Sequence, residues 1–183
     1  MGTGGQARGR GTSSRGSGPA RDRGRQRILE ITDLVPFQHE GLRRALEPFG
    51  GADHFDGDAY VAARASRDFE LFDRTALAER YWSVLQNLLR DLAAFGLAEA
   101  RRLGVHEVRS AGPSFDGLAD LGVLSRPDAV RLTEIQDIRN DDQHMSPAEV
   151  RRLVQAMLDL DALVARFMAA YGRWFASWPQ SSA

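Results

Sequence analysis

Residues 125–150 read SRPDAVRLTEIQDIRNDDQHMSPAEV. The same start signal stands here twice. Ser125-Arg126-Pro127-Asp128 and Ser146-Pro147-Ala148-Glu149 each pair a capping serine with a proline at the helix entrance and an acid three residues after the serine. One helix is therefore expected over about 127–144 and the next over about 147–176. The second carries Val150, Leu153, Val154, Met157, Leu160, Val164, Phe167, Met168, Tyr171 and Phe175 on one side, the face of a helix packed on a core.

Working back toward the N-terminus, the same periodicity recurs. Leu77, Tyr81, Val84, Leu85, Leu88, Leu92 and Phe95 fall at spacings of three and four and predict a long amphipathic helix over 74–103, with Gly104 as its C′ residue. Ser114 is placed to cap a short helix holding Phe115, Leu118 and Leu121. A helix is expected from Asp58 to about Phe72, with Asp73 as a joint. Ile28, Ile31, Leu34 and Val35 begin a helical stripe that Pro36 is expected to interrupt. Val105 to Val108 is too short for a strand and lacks a pairing partner. The fold class is all-α: an up-and-down bundle of four to five helices.

Composition narrows the chemistry. The chain has 183 residues and no cysteine, which excludes disulfides, thiolate metal sites and a cysteine nucleophile. All 24 basic residues are arginine, and the net charge of −1 hides a split. Residues 1–27 hold seven Arg and one Asp; the rest holds 17 Arg and 24 acids. Residues 1–26, rich in Gly and Arg, are expected to be a disordered tail, 27–178 the helical domain and 179–183 a disordered end. No apolar run approaches the ~18 residues of a membrane span, and no secretory h-region opens the chain, so a cytoplasmic location without membrane contact is expected.

Six polar or charged residues, Arg139 to His144, close the helix that precedes the second capping box. Asn140 and His144, four apart, share one helical face, while Arg139 and His144 lie roughly 140° apart around the axis. They can face a common substrate if the last turn of the helix loosens, or if a second copy of the helix lies across a two-fold axis, where two Arg and two His would line one groove. These groups suit RNA cleavage. A neutral imidazole removes the ribose 2′-hydroxyl proton, an imidazolium protonates the leaving 5′-oxygen, and a guanidinium holds the non-bridging oxygens. No metal or cofactor is called for.

Arg139-Asn140-x3-His144 resembles the Arg-x(4–6)-His signature of the HEPN superfamily, and within it the chain looks most like the small bacterial HepT-like toxins. The resemblance spans about residues 58–178 and includes Leu118 to Leu124 as the family's Leu-x-x-x-Gly-Val-Leu segment. Arg101 and His106 also match the bare spacing, but Arg102 follows the first Arg and Gly104 breaks the helix. With only two Asn in the chain, Asn second is the discriminating feature. The resemblance implies a HEPN-like bundle acting as a metal-independent endoribonuclease, homodimeric, with the motif at the interface. It implies as well the toxin of a toxin–antitoxin pair, with a minimal nucleotidyltransferase as the expected antitoxin. Arg139 is then the electrostatic clamp, Asn140 the orienting amide and His144 the general acid and base.

The family's Tyr two residues after His, a target of AMP transfer, is replaced by Ser146, the candidate modification site. Asp141, Asp142 and Gln143 stand where apolar residues are usual, with Arg139 or Arg131 as counter-ions for the acids. Arg151 and Arg152, one turn into the last helix, are candidate RNA contacts or plain surface. Trp82, Trp174, Phe175 and Trp178 are read as core or dimer contacts rather than a base-stacking surface. The competing readings are a non-catalytic HEPN-like interaction or nucleotide-binding module, and a purely structural helical subunit.

Overall fold

The computed structural model describes residues 18–105, 114–138 and 145–179, and among them it shows six α-helices and no strand. The first helix, α1 (Gly18–Leu46), runs straight through Pro36 and starts upstream of the boundary expected at residue 27. A proline inside a helix costs ~3 kcal/mol through its lost N–H and its clash with the preceding turn. Ile28, Ile31, Val35, Leu42 and Leu46 are all essentially buried on one face, each contributing ~1.5–3 kcal/mol. That continuous face outweighs the break, and Pro36 itself stays exposed. Packing also reaches into the stretch that composition assigns to the tail. The Arg25 guanidinium lies 5.0 Å from the Phe175 ring centroid, and a Cβ on Gly24 would stand 2.6 Å from Glu99 Oε2. The expected disordered segments at 1–17 and 180–183 lie outside the described residues.

A 3₁₀ turn, Glu47–Phe49, ends at Gly50, whose φ of 93° needs a residue without a side chain. Phe49, Phe55 and Tyr60 then cluster, with the Phe49 and Tyr60 rings 4.9 Å apart. Tyr60 sits on α2 (Gly57–Arg64), capped by Asp56. The single helix expected over 58–72 is therefore two elements. The joint lies at residues 65–68 rather than at Asp73, because Asp68 accepts from the Glu70 N–H at 2.9 Å and starts α3 (Phe69–Arg102).

On α3 the buried arc is Ala78, Trp82, Leu85, Gln86, Leu89, Leu92, Ala93 and Gly96. The stripe read from the sequence is centred about one residue away from it, so Leu77 and Phe95 are exposed while Leu85 and Leu92 are shared. Small residues explain the shift. Ala78, Ala93 and Gly96 do not register as apolar anchors, yet they let neighbouring helices approach closely. Gly104, at φ 66°, takes the left-handed conformation expected of a C′ residue.

The short α4 (Ser114–Asp120) and α5 (Arg126–Ile138) lead to α6 (Pro147–Ala176). An aromatic column fixes this side of the bundle: Phe115 on α4 meets Phe167 edge-on, and Phe167 stacks on Tyr171 at 5.6 Å. Tyr171 in turn meets Trp174, and Trp174 meets Trp178. Trp82, Trp174 and Trp178 are buried, as expected of core aromatics, with Phe175 partly so.

Two ion pairs tie α5 to α6, Arg131–Asp159 and Arg166–Asp128. Hydrogen bonding from Arg166 holds the Asp128 carboxyl below its ordinary value, against the opposing effect of partial burial. A carboxylate shifted down on folding contributes stability above its unfolded pKa, lost as pH falls through the folded value. Asp128→Asn should therefore lower the urea midpoint at pH 7 and leave it unchanged near pH 2. Equal midpoints at both pH values would show the pair contributes nothing.

Candidate functional site

The stretch between α5 and α6 is where the sequence places the chemistry. Arg139, Asn140 and His144 lie outside the described residues, as do Asp141, Asp142 and Gln143; together these are the last six residues of the helix expected over 127–144. The two anchors of that stretch are placed. On its N-terminal side, α5 ends at Ile138, partly buried against the core, one residue before Arg139. On its C-terminal side, Met145 packs on the core and Ser146 caps α6.

The capping box is present as expected. Ser146 Oγ accepts from the Glu149 N–H at 3.4 Å, and Glu149 Oε2 accepts from the Ser146 N–H at 2.5 Å. The bond from the Ser146 backbone holds the Glu149 carboxyl below its ordinary value. The candidate modification site is thus an exposed hydroxyl already serving as a helix cap.

Beside this junction α5 and α6 leave a cleft of about 470 Å³ lined by Arg131, Glu134, Asp137, Ile138, Arg152 and Gln155. Its charges are mixed. Arg131 is held by Glu134 at 2.8 Å and by Asp159 through its Nε at 2.7 Å, so this candidate counter-ion for Asp141 and Asp142 already has two carboxylate partners. The structure separates the two arginines that the sequence left together. Arg151 pairs with Asp58 at 2.7 Å across to α2, whereas Arg152 faces the cleft. Of the two, Arg152 is the one that lines the cleft.

Sequence reasoning missed Gln86. It is buried on α3, and its Nε2 donates to the Ile135 carbonyl in the last turn of α5 at 3.1 Å. That bond ties the end of α5 to the core four residues before Arg139. A glutamine inside an apolar arc is the only signal available, and it is visible only when the arc is centred correctly. His39 is held by Asp161 at 2.7 Å between α1 and α6. Among the described residues no group of three or more His, Asp or Glu is arranged to hold a metal ion. Among them, too, no helix is long and apolar enough to cross a membrane. Comparison with protein-family models, curated proteins and solved structures finds no match.

Proposed function

We propose that this chain is a metal-independent endoribonuclease of the HEPN type, the toxin of a toxin–antitoxin pair, working as a homodimer in the cytoplasm. The observation that carries the reading is Arg139-Asn140-x3-His144 between the last two long helices of an all-α bundle. The described residues on either side support it: α5 is pinned to the core by Gln86, α6 is started by a capping box, and Arg152 faces an open cleft between the two helices.

The chemistry is a transesterification. His144 takes the proton from a ribose 2′-hydroxyl, and the 2′-oxygen attacks the adjacent phosphorus. The P–O5′ bond breaks, an imidazolium protonates the departing 5′-oxygen, and a 2′,3′-cyclic phosphate remains. Arg139 supplies a fork of N–H donors to the non-bridging oxygens as negative charge gathers on them. Asn140 orients one of these partners. The antitoxin is a minimal nucleotidyltransferase, with Ser146 as the candidate AMP acceptor.

A second reading is favoured by the acids of the cleft. Glu134 and Asp137 line it, and Asp141 and Asp142 follow in the sequence. Carboxylates repel a polyanion. On this reading the same bundle is a non-catalytic interaction or nucleotide-binding module.

Purified full-length chain incubated with transfer and messenger RNA distinguishes the two. The nuclease leaves 2′,3′-cyclic phosphate ends and works undiminished in EDTA. RNA left intact between pH 5 and 9, or cleavage abolished by EDTA, contradicts the proposal.

A further inference from the structure

The cleft between α5 and α6 holds a carboxylate and a guanidinium that stand across from each other without pairing. The two helices run antiparallel and are laced together by Asp128–Arg166 and Arg131–Asp159. Toward the open end, Asp137 lies six residues past Arg131, and Arg152 lies seven residues before Asp159. At 1.5 Å per residue each step is about 10 Å, so Asp137 and Arg152 are level with each other. Among the described residues neither makes an ion pair. Where the next rung of the ladder would stand, a cleft of about 470 Å³ opens instead.

The rest of the lining is engaged. Arg131 bonds Glu134 and Asp159, and Gln155 bonds Asp159 at 2.8 Å. Glu149, one turn before Arg152, feels its charge, but the Glu149 carboxylate is held by the Ser146 N–H. Ile138 supplies an apolar wall. One acceptor pair and one donor fork therefore face a space within the ~300–1,000 Å³ of small-ligand pockets.

An ionised carboxylate only accepts hydrogen bonds, and it accepts two side by side. Of the RNA bases, guanine alone carries two adjacent donors, N1–H and N2–H, on its Watson–Crick edge. Adenine and cytosine set one amino group beside a ring-nitrogen acceptor, and uracil sets N3–H between two carbonyls. Each of these turns a lone pair toward the second carboxylate oxygen. Taking the chain to act on RNA, the reading on which this rests, we infer that the cleft reads a guanine. Asp137 accepts from N1–H and N2–H, and Arg152 holds a phosphate of the same nucleotide. The base contact specifies and the phosphate contact positions. Asp137 stands two residues before Arg139, a reach of at most ~7 Å, so the guanine adjoins the linkage to be cut. A carboxylate that repels a phosphate thereby becomes the acceptor for a base.

Binding of guanosine and adenosine 5′-monophosphates to the full chain, followed by calorimetry, tests the site without any cleavage. The wild type binds the guanosine nucleotide at least about tenfold more tightly, within the span of one bidentate base contact. Inosine monophosphate, which lacks only the N2 amino group, falls between the two. Asp137→Asn removes the difference, whereas Arg152→Ala weakens both nucleotides alike. Both residues are exposed, and circular dichroism checks that the variants stay folded. Equal affinity for the two nucleotides, no binding of either at millimolar concentration, or undiminished selectivity in Asp137→Asn overturns the inference. Mapping the ends of cleaved RNA separates it from the nuclease reading. Cleavage beside guanine supports both. Cleavage indifferent to the base overturns the guanine site and leaves the nuclease standing. Intact RNA beside selective, Asp137-dependent nucleotide binding upholds the site and removes the nuclease.

Discussion

Replacing His144 by alanine should lower the rate of RNA cleavage by about 10²–10⁴-fold, the usual span for losing a general acid–base group. The imidazole is the only group of the motif that both takes and gives a proton near neutral pH, whereas Arg139 stays protonated throughout. Arg139→Ala should cost about 10²–10³-fold for a different reason, the loss of donors aimed at the charge that develops on phosphorus. Both variants should keep the fold, because the core beneath the junction is built from other residues: Ile135 on α5, Leu85 and Leu89 on α3, and Val150 and Leu153 on α6. Single-turnover cleavage of a defined RNA measures the losses, with circular dichroism as the control. A loss under about tenfold for His144→Ala would remove it from the chemistry.

The largest expected loss of stability is at Phe167. Its side chain is 1% exposed, edge-on to Phe115 at 6.1 Å and stacked on Tyr171 at 5.6 Å. It therefore joins α4 to the middle of α6. Phe167→Ala should cost about 3–5 kcal/mol through lost transfer free energy and the cavity left behind. Against the 5–15 kcal/mol typical of a whole domain, that is a large fraction. Phe167→Leu should recover most of the loss. Guanidinium unfolding measures both, and a loss below about 1 kcal/mol for the alanine variant would mean the column is not a core element.

How far the sequence carries the fold is clearest on α6 and α3. On α6, large apolar residues at regular spacing and the Ser146–Glu149 box state the helix, its start and its buried face, and the structure shows all three. On α3, the side chains that define the buried arc include Ala78, Ala93 and Gly96, and Gln86 and Thr75 are buried with them. A reading that weights large apolar residues slides off that arc. It thereby passes over Gln86, which holds α5 in place beside the motif.

The same limit shows at the other end of the chain. Pro36 reads as a break when taken alone, yet the buried face from Ile28 to Leu46 overrides it. Asp68 and Asp73 are alike as local signals, and only packing chooses Asp68 as the start of α3. The motif was legible as residue types at a spacing. How Arg151 and Arg152 divide their roles was not, because Asp58, the partner of Arg151, lies on a distant segment.

The central claim is that one active site takes its guanidinium and its imidazole from two subunits. Unfolding Arg139→Ala and His144→Ala together and refolding the mixture tests it most directly. Random pairing gives about half mixed dimers, each with one intact site and one doubly damaged one. The account predicts recovery of about a quarter of wild-type cleavage from two inactive parents. A mixture as inactive as either parent, beside a wild-type control that refolds to full activity, contradicts it.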